Sequence, residues 1–434
     1  MEGRSMNKVT SMLKAKLYAL CIVLAATVLT LPEEASAVPA FARQTDMPCT
    51  SCHFQNFPSL NTFGRSFRAG GYTLVGKQEL IEGDGISLPV VLNASVIAKL
   101  RYVKTNGNTN EGADHGRIEW PDEAAFLVGG RLAKNVGFLF ELGLGDVANV
   151  DSAGDNTANS FLSTKLHFNA FMAGATQFSI IPFSTDGLGA AYGFELLNTG
   201  AQRSQRPIEA RGAFSAAQAL GLGSGEATGM ALVAASHNYF VNYSPWVPGW
   251  GTENRSVKAN GLAHYLRAAW MPTFGSWDTG FGFQLWSGDA TVAADDGTGL
   301  ETIIPTDGWI VDAQSQSLVG SMPLGLYASY GECEGKAGHF AGGNCDNANN
   351  ADALGLLAML GVLPNKLNLY VAYRTMDIGT ATDNIFDAWT LGFNWMFTQN
   401  IRIELFNVAE SGSGVDARGN NRDNTTNFQL FAGF

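Results

Sequence analysis

From about Val90 onward, short runs of alternating apolar and polar residues are separated by gaps that are themselves alternately short and long. In the run Leu92–Tyr102, Leu92, Ala94, Val96, Ala98, Leu100 and Tyr102 fall on one side. Asn93, Ser95, Ile97, Lys99 and Arg101 fall on the other. Leu367, Leu369, Val371 and Tyr373 oppose Asn368 and Arg374, and Trp389, Leu391, Phe393, Trp395 and Phe397 oppose Thr390 and Asn394. Ile401, Ile403 and Leu405 oppose Arg402 and Glu404. A period of two is that of a β-strand. Strands with one apolar and one polar face, joined by turns short at one end and long at the other, are the pattern of a closed barrel set in lipid.

The gaps carry the stronger constraint. Reading back from the C-terminus, runs at 427–434, 401–410 and 387–397 are separated by the long SGSGVDARGNNRDNTTN and the tight Thr398–Asn400. DIGTATDNIFD precedes them, followed upstream by a hairpin at 363–366 and a cysteine-bearing loop at 331–352. Runs near 319–330 and 308–317 come next, then the loop 289–307, a hairpin of 279–288 with 261–271, and the loop 244–260. At the front, 91–103, the loop 104–123, 124–133, a turn at Lys134–Asn135 and 136–145 keep the alternation. This predicts sixteen strands. Residues 174–228 are ambiguous, and one more pair there gives eighteen. Either even number leaves both termini on one side.

Composition agrees. Charged residues are 15% of the chain, against the usual quarter or so, with 51 Gly and 11% aromatics. Phe428, Leu430, Ala432 and the terminal Phe434 alternate to the last residue, and Tyr102, Trp120, Tyr243, Trp246, Trp270, Trp286 and Trp309 stand where interfacial girdles are expected. A soluble sandwich or propeller predicts shorter loops on both sides and no such aromatic end. Past residue 37 the longest apolar run, Ala353–Val362, has ten residues, strand length rather than helix length in a bilayer.

The N-terminus reads as an export signal: Lys14 and Lys16, an apolar run Leu17–Leu31, then Ala35-Ser36-Ala37. That run of fifteen residues falls short of the roughly 20 that a membrane anchor needs. Residues 38–434 hold 23 Lys+Arg against 36 Asp+Glu, a balance that argues against nucleic acid and favours cations.

Behind the signal lies MPCTSCHF, residues 47–54. Cys49-x-x-Cys52-His53 supplies two thiols for the vinyl groups of a haem and an imidazole for its iron. A redox dithiol would need a βαβ context, and zinc a second ligand pair nearby; neither is present. One haem c is therefore expected, bound by Cys49, Cys52 and His53. Its sixth ligand is not legible: Met47 lies too close along the chain to reach the opposite haem face easily, and His167, Met376 and Met396, which can point into the lumen, read first as ordinary lining residues. A helix is expected from Phe57-Pro58-Ser59 to Gly70-Gly71, with Leu60, Phe63 and Phe67 on one face. Cys333 and Cys345 read as a loop disulfide, with a metal site through His339 as the alternative.

The expected organisation is a signal peptide (1–37), a monohaem cytochrome segment (38–85) and an all-β, transmembrane antiparallel β-barrel of about sixteen strands (86–434). Some 40–50 residues can attach a haem but hardly enclose it. The segment is thus expected to plug the lumen, with strands completing its pocket.

PAFARQTDMPCTSCHFQNFP followed by LNTFGRSFRAGGY resembles the fused monohaem cytochrome–porins of iron-oxidising bacteria. The resemblance implies an outer-membrane electron-transfer oxidoreductase that takes electrons from extracellular Fe(II). They pass to a periplasmic carrier of cytochrome or cupredoxin type. It carries haem attachment and ligation to Cys49, Cys52 and His53 and no other residue. The loop 289–307, with Asp289, Asp295, Asp296, Glu301 and Asp307, would concentrate cations or merely solubilise. Competing expectations are a passive porin whose haem is a sensor or gate, and a haem peroxidase, which lacks an evident distal His/Arg pair.

Overall fold

The alternating runs close on themselves. A computed structural model describes residues 39–107, 113–144, 162–210, 214–249, 261–293, 301–418 and 422–434, so the expected signal lies outside the described residues. The first eight strands are β1 (Ala94–Thr105), β2 (Arg117–Ala133), β3 (Val136–Gly143), β4 (Leu162–Ala173), β5 (Thr176–Thr185), β6 (Ala227–Ala235), β7 (Tyr239–Val247) and β8 (Ala263–Trp270). The second eight are β9 (Trp277–Ser287), β10 (Gly308–Val319), β11 (Met322–Cys333), β12 (Ala351–Leu363), β13 (Leu367–Asp377), β14 (Ile385–Thr398), β15 (Ile401–Ser411) and β16 (Asn424–Gly433). Each pairs antiparallel with the next, and β16 closes the barrel on β1, with Phe428 opposite Tyr102. Phe434 and Val96 exchange backbone hydrogen bonds of 2.7 and 3.0 Å, so first and last strands meet at the short-turn end.

The two faces divide as the alternation requires. On β14, Trp389 and Leu391 are 55% and 63% exposed on the outside, while Thr390 and Asn394 are fully buried inside. An apolar exterior over a polar, packed interior suits lipid outside and hydrogen bonding inside. No helix among the described residues is long and apolar enough to cross a membrane.

Two expectations are corrected. β2 begins at Arg117, inside the expected loop 104–123, because its charged residues pair sideways. Arg101 lies 3.0 Å from Asp122, and Arg117 lies 2.6 Å from Glu119, which stands opposite Arg101 in the ladder. Of the girdle aromatics, Trp120 and Trp270 are exposed (60% and 54%), but Trp246 and Trp286 are buried at 1% and 0%. They share the inward parity of Ser244 and Gln284, and they pack on Phe340 and Tyr265.

Among its described residues the ambiguous stretch contains no extra pair of barrel strands, and the described barrel has sixteen. After β5 the connection 186–226 turns inward and is buried almost throughout its described length. Its small and apolar residues, among them Ala190, Ala191, Leu196, Leu197, Ala217 and Leu220, fill the lumen against Phe240, Trp246 and Trp286. A short helix, Ala216–Leu220, is capped by Ser215. Glu195 of this loop lies 2.8 Å from Arg267 of β8, which also meets Asp312 of β10 at 2.6 Å. Glu209 meets Arg402 of β15 at 2.9 Å.

Candidate functional site

Residues 39–91 pack against the short-turn end of the barrel, and the described residues form one compact unit. Helix α1 (Ala40–Thr45) leads into a single 3-10 turn at Cys49–Ser51, and helix α2 (Thr62–Ala69) follows. The His53 amide donates to the Cys49 carbonyl at 2.9 Å, so Cys49, Cys52 and His53 share one helical turn. A bridge pairs His53 with Leu60, which explains why α2 starts later than the sequence suggests: Leu60 is spent on the bridge. Asn61 caps the helix, accepting from the Gly64 amide at 2.9 Å. The buried side is Gly64, Arg65 and Phe67. Phe63, expected on that face, is 39% exposed. At Gly64 the helix runs so close to the Cys52 carbonyl that a Cβ would collide with it.

The segment is tied to the wall around much of its circumference. Arg65 meets Asp278 of β9 at 2.6 Å, and Arg402 of β15 donates to the Phe57 carbonyl at 2.5 Å. Gln55 donates to the Pro323 carbonyl of β11 (3.3 Å), Asn169 of β4 to that of Gly70 (2.9 Å), and Arg131 of β2 to that of Thr73 (3.3 Å). The Cys49 amide donates to Gln399 in the β14–β15 turn at 2.9 Å. Asn198 of the inward loop exchanges bonds of 2.7 and 2.9 Å with the Leu60 backbone. The hairpin Leu80–Gly83 with Ile86–Pro89 straddles residue 85, so the segment runs on to the start of β1.

Cys49, Cys52 and His53 line a cavity of about 380 Å³. Its apolar lining is shared by three parts of the chain: Leu60, Phe67 and Tyr72 from the segment, Ile97, Leu127, Leu139 and Phe431 from strands, and Leu188 from the inward loop. Both cysteines are free, and burial raises their thiol pKa values, that of Cys52 to about 11. Burial lowers the His53 pKa to about 4, which keeps the ring neutral. Its Nδ1 lies 3.1 Å from the Ser59 carbonyl. A carbonyl only accepts, so Nδ1 carries the proton and Nε2 keeps the lone pair a metal would need.

Of the sixth-ligand candidates, only Met47 borders the cavity. His167 is buried at 2% but packs its ring against Gly71 and Phe194. Met376 belongs to the core around the inward loop, and Met396 is buried away from the lining. Cys333 and Cys345 are bonded, with Cα atoms 5.8 Å apart. Both nitrogens of His339 are engaged, Nε2 at 3.1 Å from the Asp307 carbonyl and Nδ1 accepting from the Ala341 amide at 3.1 Å. In the acidic loop, Asp289 pairs with Lys336 at 3.3 Å and Asp307 accepts from the Gly288 amide; Asp295 and Asp296 lie outside the described residues.

The motif alone did not reveal Arg68 and Lys165, two cations on the cavity wall. Lys165 gave one signal, a charged residue at an inward position of a strand. Arg68, at the end of α2, gave none.

No family model matches the chain, and no curated protein matches it. Among solved structures, the fold is similar to the outer membrane channel DcaP of Acinetobacter baumannii, at 11% identity and a TM-score of 0.50, covering 79% of this chain and 97% of that one. It is also similar to the high-pH structure of Pseudomonas putida OprB, at 13% identity and a TM-score of 0.50, covering 79% of this chain and 93% of that one. At such identities the likeness is one of fold. The chain is a sixteen-strand porin-like antiparallel barrel with short helices in its N-terminal segment.

Proposed function

We propose that this chain is an outer-membrane electron-transfer oxidoreductase in which a barrel holds one haem c at its periplasmic end. Its outside donor is Fe(II), and its inside acceptor is a periplasmic carrier of cytochrome or cupredoxin type. The observation that carries the reading is the position of Cys49, Cys52 and His53 on a cavity whose other walls belong to the barrel and its inward loop.

The residues suit that group. Two free thiols and a neutral imidazole sit on one helical turn beside a mainly apolar chamber. Cys49 and Cys52 would hold haem c through thioethers and His53 through iron. When bound, haem c supplies a one-electron couple that the side chains lack. Leu60, Phe67, Ile97, Leu127 and Phe431 keep water from it, and the Ser59 carbonyl fixes the His53 ring. Ferric products are poorly soluble near neutral pH, so oxidation outside the cell spares it an internal precipitate. The apolar exterior suits outer-membrane lipid, and the channels with the same fold support that location.

The channel likeness also suggests a passive porin. Against it, residues 186–226 and the segment occupy the lumen with buried side chains, leaving little room for solute. Purified protein in detergent, mixed with Fe(II) at the organism's working pH, separates the readings. Reduction of the haem bands is expected. Unchanged bands would remove the iron assignment, and strong solute flux through liposomes without haem reduction would favour the porin.

A further inference from the structure

Two cations on the cavity wall, Arg68 and Lys165, have no carboxylate ion-pair partner among the described residues. Lys165 of β4 is 2% exposed, and its Nζ donates to the Tyr192 carbonyl at 3.0 Å. The same ammonium lies 4.4 Å from the Tyr192 ring centroid and 5.9 Å from that of Tyr72. Arg68, at the end of α2, donates to Gln205 at 2.6 Å and Gln202 at 3.0 Å, and its Nε is buried without a partner. Among the described residues neither forms an ion pair. A buried ammonium held only by a carbonyl and two aromatic faces is expensive unless an anion joins it.

The neighbours do not supply that anion. Burial pushes the phenols of Tyr72 and Tyr192 upward, which keeps both neutral. Glu141 of β3 and Asp186 of the inward loop face the same cavity, and among the described residues Glu141 forms no ion pair with Lys165. His167, two residues along β4, leaves its Nε2 buried and unpartnered on the same side of the barrel. Lys99, the other lysine on the lining, is already paired with Glu123 at 2.7 Å and Glu209 at 3.6 Å.

We propose that Arg68 and Lys165 form a built anion site for a carboxylate, filled by the propionate groups of the haem attached at Cys49 and Cys52. The inference rests on the haem reading. It adds an orientation: the propionate edge faces β4 and the end of α2, and the barrel supplies half of the charge that fixes it. A free inorganic anion such as phosphate has the same chemistry and is the competing source.

The test measures covalent haem content, midpoint potential and the pH dependence of that potential in the detergent-solubilised protein. The variants are Lys165→Gln, Lys165→Arg and Arg68→Gln. A cation beside the haem carboxylates favours the reduced state. Lys165→Gln is therefore expected to retain haem, lower the potential and make it fall more steeply with rising pH. Lys165→Arg is expected to restore both. If Lys165→Gln fails to assemble, Arg68→Gln at the helix end gives the same reading. Potentials unchanged in both neutral variants overturn the proposal and leave the haem reading standing. A wild-type potential that shifts with added phosphate at constant ionic strength overturns it in favour of a free anion. Protein without covalent haem overturns the haem reading itself, and this proposal with it.

Discussion

The lumen is filled from two directions, and the two fillers are held by different chemistry. Residues 186–226 are locked by buried ion pairs: Glu195 and Arg267 are both fully buried, and Glu209 and Arg402 are 4% and 2% exposed. Residues 39–91 are held largely by side chains reaching backbone atoms, with Arg65–Asp278 as their ion pair to the wall. A side chain that bonds a carbonyl fixes the path of the chain whatever residue occupies that position. A buried guanidinium between two carboxylates fixes which residues meet. The inward loop is thus a specific part of the barrel core. The segment is a guest threaded along a prepared track, and its own identity is concentrated in Cys49, Cys52 and His53.

The largest expected effect separates the two. Replacing both cysteines, Cys49→Ser with Cys52→Ser, should abolish covalent haem and leave the barrel folded, since nothing in the wall depends on the thiols. Haem staining of denaturing gels, read beside the heat-dependent mobility of folded barrels, measures both at once. Covalent haem in the double variant would break the assignment.

Next in size is the clamp on the inward loop. Arg267→Met strands Glu195 and Asp312, a loss of about 3–5 kcal/mol for one partner of a buried pair. Arg65→Met should cost less, about 2 kcal/mol, the value of hydrogen bonds to a charged group, because Asp278 is 21% exposed and water can replace the lost partner. Denaturant midpoints in detergent compare the two. Equal losses would erase the distinction between loop and segment. Smaller again, Gly64→Ala forces a Cβ against the Cys52 carbonyl, an overpacking cost of about 1–3 kcal/mol. It should reduce haem incorporation before it affects the barrel, and the double reading of haem stain and mobility shows the order.

The barrel was legible because two independent periodicities, side-chain alternation and gap length, pointed to one topology. β14 shows why: Trp389 and Leu391 outside with Thr390 and Asn394 inside leave no freedom of register. Legibility ended where inward packing imitates something else. Residues 186–226 carry apolar stretches such as 216–222 because they enter a core, and those stretches resemble a strand pair facing lipid. The stretch 117–123 is charged because Asp122 and Glu123 pair with Arg101 and Lys99 across β1 and β2, and that resembles a loop. Trp246 and Trp286 mark the inner core although aromatics near strand ends usually mark the interface. At the site, Cys49, Cys52 and His53 were legible from covalent chemistry at fixed spacing. Arg68 and Lys165 were not, since they stand 97 positions apart and converge only when the chain between them is folded.

The smallest expected effect concerns the loop at the opposite end from the segment, where the ends of β11 and β12 are joined. His339 has its pKa lowered by burial, against the opposing pull of Asp307, Glu334 and Asp346. The folded loop therefore binds a proton less readily than the unfolded one. Above the ordinary histidine value near 6.5 both states are neutral and the loop has its full stability. As the pH falls below that value the unfolded state takes up a proton first, and the folded loop is progressively destabilised. Hydrogen exchange of residues 334–350, corrected for the intrinsic pH dependence, should show protection falling over this range. In His339→Gln the slope should disappear, with the Cys333–Cys345 bond still closing the loop. An equal slope in the variant would assign the effect to the loop's carboxylates. Where no haem is bound the segment follows the same sign: burial lowers the His53 pKa to about 4, so the unfolded chain protonates first and acidification lowers the protection of residues 49–60 as well.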